Sequence, residues 1–351
     1  MRAAAWASAF SAIAFISFAN AAPVSLQPAT FVTLQASVVR VQATSERGAL
    51  SVGTGVTIAP AIIVTNCHVT RDAAAIRVSG GGRLWDVTGQ YADANHDLCF
   101  LHAPHWQGPP VVLGERDALH LGEAVAAIGF TGGTGLSLRF GTVRALHAFD
   151  GGRIIESDTA FTSGASGGGL FDSAGSLVGL LTFRTRGETS TFYALPVGWI
   201  RDGLLTAGQW DAVHPLSDGM PFWQRDLATL PYFMRAPPLY AEGRWSELIE
   251  LTERWSASDP RDAEPLRVRG DAQRKMDRNA SAVVSYSGAL HIAPDDARAW
   301  YGLALAYAGL GDAAALKRTE SMLAGFDPAL AIRLHGELEG LGRPVNDSGS
   351  P

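Results

Sequence analysis

The sequence predicts an all-β domain followed by an all-helical domain. Residues 31–200 form short apolar runs separated by Gly, Asn and Asp, which is the pattern of strands and turns in an all-β sandwich or barrel. A proline-rich stretch follows, and beyond it the chain is rich in Ala, Leu, Glu and Arg with a helical period. A chain of 351 residues is also long enough for two domains of ordinary size.

The composition is that of a globular protein, with 47% apolar and 18% charged residues. The net charge of −6 and the lack of Lys/Arg-rich runs argue against a general affinity for nucleic acid or anionic lipid. The only cysteines are Cys67 and Cys99, which excludes a scaffold held together by several disulfides. We therefore expect no nucleic-acid partner.

The N-terminal residues have the pattern of a secretory signal peptide. Arg2 supplies a positive charge, residues 3–18 are uncharged and mostly apolar, and Ala19-Asn20-Ala21 fits the small-x-small cleavage pattern. Residues 1–21 are therefore predicted to be removed. A membrane anchor is the alternative, but the apolar stretch is short for a span. We expect an exported protein, periplasmic or secreted, with no stable membrane anchor after cleavage.

The β domain is predicted to span residues 30–204. Its strand-like segments are wholly apolar or alternate apolar with polar residues, and no helical period competes with them. The segments are SVVRVQA, VTIAPAIIVTN, IRVSG, LCFLHA, AVAAIGF, SLRFGTVRAL, SLVGLLTF and FYALP. A linker is predicted over residues 205–238, because prolines interrupt every run there.

Residues 239–343 are predicted to form helical repeats. Pro260, Pro294 and Pro328 recur every 34 residues, and each closes a segment. Gly270 lies where a first helix needs a small residue, and Tyr286 is a large residue on the second helix. These residues resemble tetratricopeptide repeats, which implies stacked helix pairs with a concave groove for a peptide or protein partner. A helical bundle with a coincidental proline period is the alternative. Residues 344–351 are predicted to be a flexible tail.

A glycine-rich turn between two predicted strands carries a candidate nucleophile. In FTSGASGGGL (161–170), Ser166 is that residue. A serine hydroxyl is unreactive unless it is exposed beside a base, and a tetrahedral oxyanion needs converging backbone N–H groups. Gly164 lets the backbone turn so that its own N–H and that of Ser166 point into one hole. Taken alone, the string is equally typical of a glycine-rich hairpin.

Two further motifs supply a base and a carboxylate. His68 in VTNCHVT follows an apolar strand, where its imidazole can act as general base and then general acid. Asp97 in NHDLCFL opens the next apolar strand, where a carboxylate can lie beneath an imidazole and fix its tautomer. Alone, a histidine such as His68 is more often a satisfied core or turn residue than a base, and Asp86 and Asp93 compete with Asp97. The order His, Asp, Ser is that of the chymotrypsin-type triad, which favours His68, Asp97 and Ser166 acting together.

Five segments, in the right order over residues 37–196, resemble trypsin-like serine proteases of the HtrA type. They are GTGVTIAPAIIVTNCHVT, HDLCFL, GEAVAAIGF, SDTAFTSGASGGGLFDSAGSLVGLLTF and FYALP. The resemblance implies an all-β double barrel, the trypsin-like serine protease fold, in which two six-stranded barrels hold the site in the cleft between them. It also implies that the N–H groups of Gly164 and Ser166 form the oxyanion hole.

The resemblance also assigns substrate-binding residues. They are Thr182, Phe183, Arg184, Tyr193 and Ala160. The first three correspond to the edge strand that pairs with substrate backbone, with Thr182 close to Asp97. Ala160 corresponds to the usual floor of the pocket for P1, the residue before the scissile bond, and Arg184 and Tyr193 are further candidates for its lining. Because that floor carries no acid, we expect a small or medium apolar P1 residue rather than Lys or Arg.

Three features depart from the family pattern. The PDZ module that HtrA-type enzymes usually carry is replaced here by the helical repeats. Ala165 stands where digestive relatives have an aspartate that pairs with a newly cut N-terminus, so we expect no propeptide cleavage to be required. Gly169 stands where the family commonly has proline, which predicts a softer turn around Ser166.

The two cysteines flank the predicted triad. Cys67 directly precedes His68, and Cys99 lies two residues after Asp97. Because the implied triad brings these backbones together, a disulfide is possible, and two buried thiols are the alternative.

No metal or other cofactor is predicted. One pattern could suggest zinc, since a possible ligand recurs every three residues at His96, Cys99, His102 and His105. Residues 96 and 99 would face opposite sides of a strand, which argues against a shared metal.

The sequence thus predicts an exported serine endopeptidase. It would hydrolyse the peptide bonds of polypeptide substrates through an acyl-enzyme on Ser166, and its helical repeats would bind substrate or a protein or peptide partner. The alternative is a catalytically silent scaffold with a protease fold that acts as a protein-binding module.

Overall fold

Strands fill the N-terminal part of the chain and helices the C-terminal part, as predicted. The computed structural model describes residues 28–116, 118–132, 135–185, 191–207, 209–217 and 219–340. The predicted signal peptide (1–21) and tail (344–351) lie outside the described residues. No described helix is long and apolar enough to cross a membrane.

The first β unit is a seven-stranded antiparallel sheet. Its strands are β1 (Val38–Ser45), β2 (Leu50–Ala59), β3 (Ile62–Thr65), β4 (Ala73–Gly80), β5 (Arg83–Asp86), β6 (Gly89–Asp93) and β7 (Leu98–His102). They pair in the order β5-β4-β1-β2-β3-β7-β6. Helix α1 (Pro28–Ser37) precedes β1, and the one-turn helix α2 (Cys67–Thr70) follows β3. Alternate residues of the strands, such as Val39, Val41 and Ile63, are fully buried in one core.

This sheet corrects the expectation of a closed six-stranded barrel. A seventh strand, β5, forms a hairpin with β4 at one edge. The chain then crosses to the other edge: the Val87 N–H still donates to Ile76 O of β4 (3.0 Å), and the next N–H, of Thr88, donates to His102 O of β7 (2.9 Å). Within the described residues the two edge strands therefore meet through this crossing segment and not through a strand pairing.

The second β unit is a closed six-stranded barrel, as the resemblance implies. Its strands are β8 (Ala124–Thr131), β9 (Gly135–Phe149), β10 (Gly152–Ser157), β11 (Gly169–Phe171), β12 (Leu177–Thr185) and β13 (Thr191–Pro196). They close in the order β10-β13-β12-β11-β8-β9. Helix α3 (Val197–Thr206) follows and buries Trp199 and Ile200 against the strands.

The predicted linker contains regular structure. Two short 3-10 turns span Phe222–Gln224 and Leu227–Thr229, and helix α4 spans Tyr232–Ala241. Prolines 237 and 238 lie inside α4, although proline removes a helical donor. The helix persists because Phe233 and Ala236 are buried against the rest of the protein. Tertiary packing thus outweighs the local proline signal.

Six further helices complete the described chain. They are α5 (Trp245–Ser258), α6 (Glu264–Lys275), α7 (Asn279–Ile292), α8 (Ala297–Leu310), α9 (Ala313–Phe326) and α10 (Pro328–Gly340). Helices α5, α7 and α9 begin 34 residues apart. A Cβ on Gly270 would lie 2.8 Å from the fully buried Tyr286 ring, and one on Gly302 would lie 2.4 Å from it. Tyr286 therefore packs where α6 and α8 have no side chain.

The helices are joined to the closed barrel by a buried ionic cluster. His147 on β9 is 2% exposed. Its Nε2 lies 2.9 Å from Glu156 of β10, and its Nδ1 bonds Glu264 of α6. Arg267 of α6 lies 3.1 Å from the other oxygen of Glu264, and the His147 ring stacks on Phe233 of α4 at 4.2 Å. The barrel and the helical region thus share buried charges and rings.

Candidate active site

His68 lies on the one-turn helix α2, directly after β3. Asn66 leads into this helix with an extended backbone. Cys67 forms a disulfide with Cys99, one of the two alternatives that the sequence left open, and their Cα atoms lie 4.8 Å apart. The bridge fastens the helix that carries His68 to the strand that follows Asp97.

Asp97 is hydrogen-bonded to His68 by both carboxylate oxygens. Its Oδ2 lies 2.7 Å from His68 Nδ1, and its Oδ1 accepts the His68 backbone N–H at 2.8 Å. Asp97 is fully buried, and its φ of +60° is a left-handed conformation that aspartate tolerates better than most residues. The contact fixes the proton on Nδ1 and leaves Nε2 as the acceptor.

Asn66 hydrogen-bonds to the strained backbone of Asp97. The Asp97 carbonyl accepts the Cys67 N–H at 3.2 Å and the Asn66 Nδ2 at 3.1 Å. The same Nδ2 donates to Thr182 Oγ1 at 3.0 Å. Asn66 is fully buried and was not singled out from the sequence, although it lies two residues before His68.

Ser166 lies in the predicted glycine-rich turn before β11. Gly164 and Gly167 have φ values of +95° and +83°, which favour glycine. A Cβ on Gly167 would also lie 2.1 Å from Thr54 O. The Ser166 hydroxyl donates to Thr182 O at 3.2 Å, and within the described residues it makes no hydrogen bond to His68. Such contacts are often formed only when substrate binds.

The backbone N–H groups of Gly164 and Ser166 have no acceptor among the described residues. The Ala165 N–H between them donates to Thr162 O at 3.1 Å. The Gly164 carbonyl accepts Thr54 Oγ1 at 2.7 Å, which fixes the orientation of that peptide group. Gly164 and Ser166 are both partly exposed, so an anionic oxygen has access to the pair.

The residues next to Ser166 are tightly packed. Ala165 is 1% exposed, and a Cβ on Gly129 would lie 3.1 Å from it. Gly169 pairs with both Ile128 and Leu180 inside the closed barrel. The softening expected at Gly169 is therefore opposed by a strand on each side.

The predicted substrate-binding residues divide into two groups. Thr182 and Phe183 lie at the site: Thr182 contacts Ser166 through its carbonyl, and it reaches Asp97 only through Asn66. Tyr193 is buried and stacks on Phe183 at 4.6 Å. Burial raises the pKa of Tyr193 well above its usual range, so the phenol stays neutral. Arg184 and Ala160 are exposed, and among the described residues no hydrogen bond joins Ala160 to the other four.

Sequence reasoning missed Trp223, which lies in the predicted linker. Its Nε1 donates to Asp97 Oδ2 at 3.2 Å. Its ring meets the His68 ring edge-on at 5.4 Å and stacks on Phe183 at 5.2 Å. The available signal was the adjacent aromatic pair Phe222-Trp223 in the proline-rich stretch.

The described residues offer no metal centre, since no group of three or more His, Cys, Asp and Glu side chains is placed to hold an ion. Among the residues with zinc-like spacing, Cys99 is in the disulfide. His96 bonds Asp93 at 2.6 Å and Asp150 at 2.9 Å.

Comparison with known proteins assigns this region of the chain. Residues 53–180, which include His68, Asp97 and Ser166, match the model of the trypsin-like peptidase domain. The chain is 31% identical over 142 residues to the periplasmic serine endoprotease DegP of Salmonella typhimurium, covering 38% of this chain and 30% of DegP. It is 30% identical over 152 residues to the anti-sigma-I factor RsgI9 of Acetivibrio thermocellus, covering 42% and 21%.

A third relative is the serine protease Rv3671c of Mycobacterium tuberculosis, with 26% identity over 178 residues, or 48% of this chain and 44% of the relative. The crystal structure of its active form superposes with a TM-score of 0.49 and 24% identity, covering 59% of this chain and 99% of that one. The chain thus spans less than half the length of each of these three curated relatives.

Proposed function

Because residues 53–180 carry a trypsin-like peptidase domain, we propose that the protein is an HtrA-like serine endopeptidase that cleaves polypeptides through an acyl-enzyme on Ser166. One observation carries the proposal. A buried carboxylate holds His68 by two hydrogen bonds, and the neighbouring glycine-rich turn offers a serine and two unpaired N–H groups. A histidine, its orienting acid, a nucleophile and oxyanion donors are the four parts that acyl transfer needs.

Acylation begins with a rotation of the Ser166 side chain. Its hydroxyl leaves Thr182 O and turns to His68 Nε2, which accepts the proton as Oγ bonds to the substrate carbonyl carbon. Asp97 stabilises the imidazolium that results. The negative oxygen of the tetrahedral intermediate accepts hydrogen bonds from the N–H groups of Gly164 and Ser166. Loss of one such donor lowers the rate by about 10²–10³-fold.

Collapse of this intermediate breaks the peptide bond. His68 passes its proton to the departing amine, which leaves an ester on Ser166. A water molecule then attacks the ester, His68 again accepts the proton, and the carboxylic acid product is released as the hydroxyl of Ser166 re-forms.

The free edge of β12 is the proposed site for substrate backbone. Strand β11 pairs with residues 177–180 only, so residues 182–185 have one edge without a described partner strand. The β12–β13 register shifts between Leu181 and Phe183 and leaves Thr182 outside the ladder. An extended peptide could pair with this edge as an added strand.

We propose that the enzyme prefers small or medium apolar residues at P1. Cleavage of peptides that differ only at P1 (Ala, Val, Leu, Lys, Arg) would test this preference.

Labelling with a fluorophosphonate probe tests the reaction class. We expect the full chain to be labelled and the Ser166→Ala variant not to be. Ser163→Ala is the matched control, because Ser163 is an exposed serine of the same turn, and this variant should be labelled like the wild type. Labelling of Ser166→Ala, or no labelling of the folded wild type, would refute the proposal, and the second result would favour a silent scaffold.

The helices are proposed to be tetratricopeptide-like repeats that bind substrate or a partner polypeptide. The 34-residue spacing of α5, α7 and α9 supports the repeat assignment. A cleft of about 950 Å³ between the closed barrel and helices α4, α6 and α8 supports the binding role. Arg235 and Arg261 line it, and neither forms an ion pair with a described residue. Arg235→Ala and Arg261→Ala should raise KM for a long unfolded polypeptide but not for a short peptide; equal effects on both would contradict the proposal.

Export is proposed on three supports: the signal-like N-terminus, the disulfide beside the site, and the periplasmic name of a relative. Expression of the full chain followed by N-terminal sequencing should find a mature start near Ala22 outside the cytoplasm. Recovery of the intact chain from the cytoplasm would contradict it.

A further inference from the structure

The connection between barrel and helices is fastened to the loop that precedes Asp97. The Phe222 N–H donates to Asn95 O at 3.0 Å, and Arg225 donates to Asn95 Oδ1 at 2.9 Å. The Phe222 ring is 1% exposed and packs against Phe149 at 4.8 Å and Trp199 at 6.2 Å. These contacts fix the backbone on both sides of Trp223.

Trp223 touches three parts of the proposed active site. Its N–H reaches the Asp97 oxygen that also holds His68 Nδ1. Its ring meets the imidazole at an interplanar angle of 88° and lies nearly parallel to the Phe183 ring, at 14°. The indole therefore borders the imidazole of His68 and the carboxylate of Asp97 at once.

The buried carboxylate needs this donor. Among the described residues, Trp223 is the only side chain besides His68 that hydrogen-bonds the Asp97 carboxylate. The nearby hydroxyl of Thr182 is committed to Leu180 O at 2.9 Å. Burial of an ion is costly unless its oxygens are hydrogen-bonded, and an indole N–H donates without titrating.

From this geometry we propose that Trp223, supplied by the connection to the helical region, is a positioning residue for the Asp97–His68 pair. The proposal rests on the proposed endopeptidase function. The N–H holds the carboxylate in the plane of the imidazole, and the ring limits rotation of His68 toward solvent. Trp223 thereby acts through His68 and Asp97 on the proton transfer from Ser166.

Two substitutions separate the contribution of the Trp223 N–H from that of its ring. Trp223→Phe removes the donor and keeps an aromatic ring against Phe183. We expect kcat for a peptide substrate to fall by about 10-fold with KM within about twofold, because the lost bond matters most when His68 is charged. The fluorophosphonate labelling rate of Ser166 should fall by a similar factor. Trp223→Ala removes both contacts and should lower kcat further and raise KM.

Trp300→Phe is the matched control. Trp300 also donates an Nε1 hydrogen bond, to Pro294 O at 2.8 Å, but it lies on α8 of the helical region. Its kcat, KM and labelling rate should equal those of the wild type. Thermal unfolding of all variants is measured so that activities are compared on folded protein.

The outcomes distinguish the inference from the proposed function. An active wild type with Trp223→Phe unchanged in kcat would overturn the positioning role alone. Higher activity in Trp223→Ala would also overturn it, because the indole would then be obstructing the cleft. If the folded wild type neither hydrolyses peptides nor reacts with the probe, the endopeptidase function itself fails.

Discussion

The charge on His147 should make the stability of the protein depend on pH between neutrality and pH 9. Burial alone would lower the pKa of His147, but the carboxylates of Glu264 and Glu156 outweigh burial and raise it to about 9. In the unfolded chain a histidine titrates near 6.5. The cluster therefore stabilises the folded state fully below about pH 6.5, and this contribution is lost as the pH rises through about 9.

The size of the effect follows from that shift. A difference from 6.5 to about 9 corresponds to roughly 3 kcal/mol, at about 1.4 kcal/mol per pH unit. On the acid side, burial alone would raise the pKa of Glu264, but His147 and Arg267 lower it to about 2. That contribution is present above about pH 4.5 and is lost as the pH falls through about 2. The two shifts describe one ion pair and are counted once.

The measurement is urea unfolding followed by tryptophan fluorescence at about pH 6 and about pH 9.5. The wild type should lose about 3 kcal/mol between these conditions. His147→Gln should be less stable at pH 6 by a similar amount, because two buried carboxylates lose their cation, and its stability should change little up to pH 9.5. His291→Gln, at an exposed histidine of α7, should keep the wild-type profile. If the free energy of unfolding changed equally with pH in the wild type and in His147→Gln, the reasoning would be refuted.

Three further outcomes are expected. Reduction of the Cys67–Cys99 bridge, or its replacement by two serines, should lower the free energy of unfolding by about 3–4 kcal/mol, measured by urea unfolding with and without reductant, because it opens a loop of 32 residues. Asp97→Asn should lower kcat by about four orders of magnitude with KM little changed, because the amide favours the wrong tautomer of the imidazole. A recombinant chain of residues 22–351 should hydrolyse peptides without prior clipping, because Ala165 offers no carboxylate to a new N-terminus, and an inert chain that gains activity after clipping would contradict this.

The parts of the site that the sequence predicts are those that lie in short motifs. His68 follows an apolar strand, Asp97 opens one, and Ser166 lies in a glycine-rich motif; their order along the chain carried the prediction. Trp223 contacts Asp97 across 126 residues, so no local pattern connects them. The adjacent aromatic pair could have marked the segment as buried, but it could not have identified what the indole contacts.

The fold, like the site, was predictable where the signal lies in a local sequence pattern. Alternating strands predicted the β units, and the proline spacing predicted the helices. The open edge of the first sheet was missed, because it depends on the hydrogen bonds that residues 87 and 88 make to two different strands, which no local pattern shows. Helix α4 was missed because its prolines disfavour a helix, and only the burial of Phe233 and Ala236 decides otherwise.

One consequence of the packing concerns the predicted boundary between the two parts. A single hydrophobic core contains Phe183 and Tyr193 of the closed barrel, Trp199 of α3, and Phe222 and Phe233 of the following segments. The segment 205–238 is thus packed against the barrel and is not a flexible linker. A chain that ends at residue 207 would leave the barrel rings without their partners, at about 1.5–3 kcal/mol for each large apolar side chain that becomes exposed. We expect such a chain to bind a hydrophobic dye, to aggregate and to lack fluorophosphonate labelling, whereas a soluble, fully labelled fragment would show that the helical region is dispensable for the active-site geometry.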